Sequence, residues 1–353
     1  MGDIDSDGND SSDNSSNGSR KGRTSGLATP SISAADLKSS IGLAQFPAAC
    51  SSSQTLTWSA VTDQFVCQNI TVTGTASVTT AALDIYVGSG GSDSCDGLSN
   101  TSSGGGSNCR VATLQRALDL VPDIVKHNVV IHVTSGLTAN ATGPMGMINK
   151  TINAANETIG PLLVIQGDST FTLNNSGNLP KATAIAVMKE ARGVLIKNLL
   201  ITGFETGIDV DGGIALINGV GITNSNTGFN VDRAGMMQFM TNSSSVYAPA
   251  NGTGISIGGA SRAIVQADLA VGLSGVNARG IVVDEGTLEL DDAGMSKELN
   301  VTDGSPAAAV TGIFVGNAGK ITVCATRCSL KFGTFSGANS TVLRVQGGTL
   351  RQV

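Results

Sequence analysis

Gly207-Ile208-Asp209-Val210 returns downstream as Gly228-Phe229-Asn230-Val231, Gly254-Ile255-Ser256-Ile257, Gly280-Ile281-Val282-Val283 and Gly312-Ile313-Phe314-Val315. A last copy, Val342-Leu343-Arg344-Val345, lacks the glycine, and a weaker first copy is Ala184-Ile185-Ala186-Val187. The copies start 23, 21, 26, 26, 32 and 30 residues apart. Self-similarity at a loose period of about 20–30 residues marks a stacked architecture. Each phrase is an alternating apolar run, and a glycine-marked corner and a second run follow it. Examples are Asp211-Gly212-Gly213 before Ile214-Ala215-Leu216 and Glu285-Gly286 before Leu288-Glu289-Leu290. A unit of strand, corner and strand predicts a right-handed parallel β-helix, all-β in class.

Alternate side chains of a strand point to opposite faces. Ile208, Phe229, Ile255, Ile281, Ile313 and Leu343 should therefore form one interior column, and Val210, Val231, Ile257, Val283, Val315 and Val345 another. The residues between them, Ala186, Asp209, Asn230, Ser256, Val282, Phe314 and Arg344, should line up outside. An antiparallel sandwich is the alternative for many short strands. It offers no reason for one phrase to recur in one register.

The 353 residues include 46 glycines, with 3% aromatic and 14% charged residues and a net charge of −6. Few aromatics and many small and β-branched residues suit a narrow interior. With no basic stripe, nucleic acid is not an expected partner. No apolar run reaches the ~18 residues of a membrane span. Met1-Gly2-Asp3-Ile4 has neither a basic nor an apolar signal region. The expectation is export by another route, or a mature form with an added start Met.

Six cysteines fall into local pairs, Cys50 with Cys67, Cys95 with Cys109, and Cys324 with Cys328. Such pairing favours disulfides and an oxidising compartment over free or metal-binding thiols. There is no C-x-x-C, and His127 and His132 lie far from most cysteines, so zinc fits poorly. Cys324 and Cys328 can bridge only if the corner geometry is right. No metal or cofactor is expected.

Residues 1–40 are rich in Asp, Ser, Asn and Gly and read as a disordered polar tether. It suits a surface-anchored protein, including a lipoprotein whose acylated first Cys is replaced here by Met; an unstructured tail with no role is the plain alternative. Residues 41–80 read as a β-hairpin module clamped by Cys50–Cys67, with Trp58 packing within it. Residues 81–353 hold the solenoid. It opens with a helix over 111–122 whose Val111, Leu114, Ala117, Leu118 and Val121 share one face and would cover the first coil. Val129 to Val133 is an early strand with His132 facing out. Thr134 to Pro161 reads as a long polar loop, a candidate for binding or a simple insertion. The sequence ends inside a coil at Thr349-Leu350-Arg351-Gln352-Val353. A trimer partner, an exchanged strand or a further C-terminal segment is expected to cover that end.

Pro47-Ala48-Ala49-Cys50, Leu56-Thr57-Trp58 and Phe65-Val66-Cys67-Gln68-Asn69-Ile70 resemble a hairpin module of phage-tail-fibre-like surface proteins of predatory and related bacteria. Those proteins are trimeric fibres with adhesive tips. Ile85-Tyr86-Val87-Gly88-Ser89-Gly90-Gly91, continuing through Cys95 to Leu98, resembles the opening of the pectin-lyase-like β-helix superfamily, which includes many phage tailspikes. The glycine-rich Cys95–Cys109 loop departs from that pattern. The resemblance implies a trimeric surface fibre whose solenoid recognises a cell-surface glycan or envelope component.

The same superfamily contains polysaccharide lyases and glycosidases, and glycoside hydrolysis needs two carboxylates. Asp209, Asp211 and Asp232 fall on adjacent coils and are the candidate catalytic residues; Asp284, Glu285, Asp291 and Asp292 form a second acidic group. Against catalysis, most of these sit at corners, where Asp is an ordinary turn residue. Asp291-Asp292 lacks the His-Gly and Arg-Ile-Lys companions of polygalacturonase-like families. Val282 and Phe314 are apolar at outward positions. They mark a homotrimer interface, or else a loop such as Ala293 to Ala309 covers them. The expected protein is a non-enzymatic extracellular or cell-surface fibre or adhesin, with a lyase or hydrolase and a ligand-free stalk as rivals.

Overall fold

The computed structural model describes residues 54–59, 64–69, 76–102, 107–139, 142–152, 162–167, 171–177, 179–291, 297–304, 309–324, 327–335, 337 and 339–353. The chain divides into two compact units, Met1–Thr75 and Ala76–Val353. In the first, Gln54–Ser59 and Gln64–Asn69 form an antiparallel hairpin with Leu56 opposite Cys67 and Trp58 opposite Phe65. Cys67 is disulfide-bonded. Its expected partner Cys50, like the 1–40 tether, lies outside the described residues.

The second unit is a parallel β-helix with three faces. The first face is an eight-stranded sheet running from Pro144–Ile148 through Thr183–Met188, Thr206–Asp211, Thr227–Asp232, Thr253–Ile257, Arg279–Val283 and Thr311–Val315 to Thr341–Val345. All its pairings are parallel. The other two faces belong to one branched sheet. On the second face, Leu83–Val87, Val129–Val133 and Leu163–Gln166 lead through the first halves of Arg192–Thr202 and Ile214–Thr223 to Met236–Phe239, Arg262–Val265, Thr287–Leu290, Lys320–Val323 and Thr349–Gln352. On the third, the second halves of the two long strands continue into Ser244–Ala248, Leu269–Leu273, Lys297–Asp303 and Cys328–Phe332.

The expected interior columns are present in register, Ile208 on Phe229, Ile255, Ile281, Ile313 and Leu343, and Val210 on Val231, Ile257, Val283, Val315 and Val345. All but the last rung are essentially inaccessible. Phe229 also meets Phe239 edge to face, with centroids 5.1 Å apart. Burying one such side chain stabilises by roughly 1.5–3 kcal/mol, and the columns repeat that gain rung after rung.

The glycine that opens each phrase has a steric cause. A Cβ on Gly207 would lie 2.6 Å from the carbonyl oxygen of Gly228, and the same contact recurs from Gly228 to Gly254, Gly254 to Gly280 and Gly280 to Gly312. On these rungs the neighbouring backbones are too close for any side chain, whereas one rung before Gly207 the same place holds the buried methyl of Ala184. On the last rung Val342 takes the place of the glycine, with no further described rung to clash with, and it is exposed.

Three expectations are corrected. Each coil has three strands, not two. The third face escaped notice because its strands, such as Ser244–Ala248, do not carry the recurring glycine-led phrase, and because Arg192–Thr202 and Ile214–Thr223 run through a corner without a break. Left-handed residues Asn198 (φ 54°) and Gly219 (φ 67°) make that bend. Secondly, Thr134 to Pro161 is not a loop throughout: Leu137–Thr138 pairs with Leu173–Asn174, and Pro144–Ile148 opens the first face. Thirdly, Lys297–Asp303 is a third-face strand, so this part of Ala293 to Ala309 is no loop over Phe314.

The helix α1 spans Leu114–Leu120, shorter than 111–122, with the expected apolar residues buried. Thr113 caps it by accepting from the Arg116 N–H. Asp93 fixes the entry by accepting from the Ala112 and Thr113 N–H groups. Val121 leaves the helix in an extended conformation because Pro122 follows it. The Gln115 side chain accepts from the Met147 N–H on the edge strand of the first face, so the helix satisfies part of an edge that would otherwise invite pairing. Cys95–Cys109 and Cys324–Cys328 are both disulfides, with Cα atoms 5.2 and 5.4 Å apart.

Candidate functional site

Three outward regions carry chemistry. The first is acidic and lies on the first face. Asp209 pairs in register with Ala186 and Asn230, and Asp211 with Met188 and Asp232. The Asn230 side-chain amide donates to Asp209 at 2.8 Å. Arg233 holds Asp211 in an ion pair at 2.6 Å. Asp232 accepts from the Arg233 N–H at 2.8 Å, as a turn residue does. Asp209 is half-buried, and that burial, with Asp211 and Asp232 adding like charge, lifts its carboxyl above the ordinary 3.8 despite the Asn230 bond and Arg233. The three expected carboxylates thus share one patch, each with its own partner. Among the described residues no group of His, Cys, Asp and Glu is placed to hold a metal ion. Arg262 pairs with Glu289 on the second face.

The second region follows the corner where the third face turns into the first. A groove of about 600 Å³ runs across the rungs that begin at Thr253, Arg279, Thr311 and Thr341. Asn251, Asn277 and Asn339 make its corners in the left-handed conformation, with φ of 59°, 57° and 65°. Asn tolerates that conformation better than other non-glycine residues. The Asn277 amide also donates to the Asn251 oxygen at 3.1 Å, one rung away. Arg279 and Arg344 enter the same groove, and no Asp or Glu lines it. Towards the N-terminal end of the solenoid, a second groove of about 380 Å³ at the same corner is lined by Asn175, Glu205 and Asn226 among others. Sequence reading missed these residues. Their signal was an Asn three positions ahead of the phrase, in Asn251-Gly252-Thr253, Asn277-Ala278-Arg279 and Asn339-Ser340-Thr341.

The third region is apolar. Val282 and Phe314 are in register and face outward, both half-buried. The Arg344 guanidinium lies over the Phe314 ring, 5.8 Å from its centroid, and so covers part of it. A longer outward column that the sequence reading passed over runs along the second face through Val130, Val164, Leu195 and Leu216, each half-buried. Beside it His132 faces out as expected, stacked on Tyr86 and bonded to Asp84 at 2.8 Å and to Gln166 at 3.0 Å.

No family model and no curated protein matches the chain. Among solved structures it is similar to an alginate lyase from Paenibacillus sp. str. FPU-7, at 14% identity and a TM-score of 0.37 over 77% of this chain and 100% of that one. A likeness of that size carries nothing about activity to this chain.

Proposed function

We propose that this is a non-enzymatic extracellular fibre or adhesin that recognises a cell-surface glycan or envelope component and works as a parallel homotrimer. The observation that carries the reading is the corner groove. Asn251, Asn277 and Asn339 and Thr253, Thr311 and Thr341 repeat along it at rungs about 4.8 Å apart, with Arg279 in one Thr place and Ala309 in one Asn place, and so present a row of hydrogen-bonding groups to an extended, repeating ligand. Two disulfides in the solenoid are consistent with an oxidising compartment. In the trimer, Val282 and Phe314 contact the neighbouring copies. The test is a glycan array probed with the full chain, alongside its mass in solution. Binding to one glycan group by a species of three chains supports the reading, and a monomer that binds nothing overturns it.

One observation favours a polysaccharide lyase or hydrolase on the same fold, namely the raised, half-buried Asp209 beside the Asp211–Arg233 pair. A raised carboxyl pKa is the direction a general acid needs. Turnover of a polysaccharide that disappears in Asp209→Ala and Asp211→Asn would establish the enzyme. No turnover across neutral, carboxylated and sulfated polymers would leave the adhesin.

A further inference from the structure

We infer that the corner groove is an anion-recognition site, and that its ligand is a polysaccharide bearing carboxylate or sulfate groups on alternate sugars. The inference rests on the glycan-binding reading and adds the charge and spacing of the ligand.

Arg233 is held by Asp211 and Arg262 by Glu289, whereas Arg192 and Arg351, exposed on the second face, make no ion pair with any described residue. What sets Arg279 and Arg344 apart is that they share one groove with no acid in its lining. Neither makes an ion pair with any described residue, although the chain carries a net charge of −6. Arg344 is positioned from two sides, by the Phe314 ring beneath it and by a bond from its Nη2 to Gln346 at 3.2 Å. A guanidinium oriented in this way keeps donors for an incoming oxyanion, and Arg binds carboxylate and sulfate geometry well.

Spacing narrows the ligand. Arg279 pairs with Thr311, and Thr311 with Thr341, on the strand that also carries Arg344. Arg344 lies three residues past Thr341, so the two arginines are two rungs apart along the axis and three residues apart along the strand, roughly 10 Å in each direction. A disaccharide repeat places its charges at intervals of that order. On the rung between them, Thr311 offers a neutral hydrogen-bonding group beside the small Ala309, a place suited to the uncharged sugar.

The test uses the full chain and three polymers of matched length: hyaluronan, with carboxylates only; chondroitin sulfate, with carboxylates and sulfates; and neutral dextran. Titration calorimetry at low and high salt should show one or both anionic polymers binding, with dextran silent and affinity falling as salt rises. Hyaluronan binding would show that carboxylate suffices, whereas binding by chondroitin sulfate alone would assign the sulfate. The double variant Arg279→Gln/Arg344→Gln should lose about tenfold in affinity, the loss of two charge-assisted contacts at an exposed site. Arg351→Gln, on the second face, should bind like the parent. Both variants should keep the parental melting temperature. If dextran binds as well as the anionic polymers and the double variant is unchanged, the inference fails while the glycan-binding reading stands. If none of the polymers binds and an array is also blank, both fail.

Discussion

Asp209 is where the outward register meets a cost. Its neighbours along the column are Ala186 and Asn230, and its like-charged neighbours Asp211 and Asp232 lie beside it. Burial first, then those charges, raise its carboxyl above 3.8, so folding favours the protonated form. For this group the contribution to stability is fully present below 3.8 and is lost as pH rises through the raised folded value. Asp209→Asn keeps the shape and an acceptor for Asn230 but cannot ionise. It should melt higher than the parent near neutral pH, with the difference closing below pH 3.8, as thermal denaturation across pH will show. The glycine column makes a second prediction of the same grain. In Gly254→Ala the new methyl would meet the Gly280 carbonyl oxygen at 2.6 Å, a backbone atom that cannot step aside. It should cost about 1–3 kcal/mol in chemical denaturation. Val342→Ala, at the equivalent place on the last rung, should cost well under 1 kcal/mol because the site is exposed.

At the scale of elements, the entrance of the solenoid is held by the excursion between Val87 and Val111, two residues that bridge in parallel. The Cys95–Cys109 disulfide closes 14 residues of sequence separation there, with both sulfurs buried. Constraining a loop of that size stabilises by about 3 kcal/mol in the chain-entropy account. A non-reducing peptide map should therefore recover the Cys95–Cys109 and Cys324–Cys328 links. Cys95→Ser/Cys109→Ser should lower stability by roughly that amount and loosen hydrogen-exchange protection around α1 before the later rungs. Losing the shorter Cys324–Cys328 loop should cost less, by the same dependence on loop length. Equal loss in the two cases would show that strain or packing, not chain entropy, sets their contributions.

For the whole molecule, the proposed trimer makes a prediction about the first face. Phe314→Glu places a carboxylate next to Arg344, which already lies over the ring, so the solenoid itself should tolerate the change. In a trimer the substitution removes roughly 1.5–3 kcal/mol of burial per copy and gathers like charges near the axis. Sedimentation should show a trimeric parent and a dissociated variant that still unfolds cooperatively, its melting temperature lowered only by the lost association. Leu195→Glu, in the second-face column, should leave the assembly intact. The opposite outcome would move the interface to Val130, Val164, Leu195 and Leu216, and a monomeric parent at micromolar concentration would remove the trimer altogether.

The parallel stack, the interior columns and the outward order from Ala186 to Arg344 were legible in the sequence, because a period of two fixes which side chains face inward and a recurring phrase fixes which rungs touch. The pairing of Cys95 with Cys109 and of Cys324 with Cys328 was legible too, since short separations leave few partners. Other features depended on residues far apart in sequence. The third face became visible only when Asn198 and Gly219 were seen to bend one strand into two. The role of the opening glycine emerged from the distance to the carbonyl of the next rung, which no single repeat contains. The corner groove needed Asn251, Arg279 and Arg344 to be stacked together across 93 residues of chain. Periodicity reports each side chain's direction, whereas a groove depends on what the neighbouring rungs place beside it, and only the folded stack brings those rungs into contact.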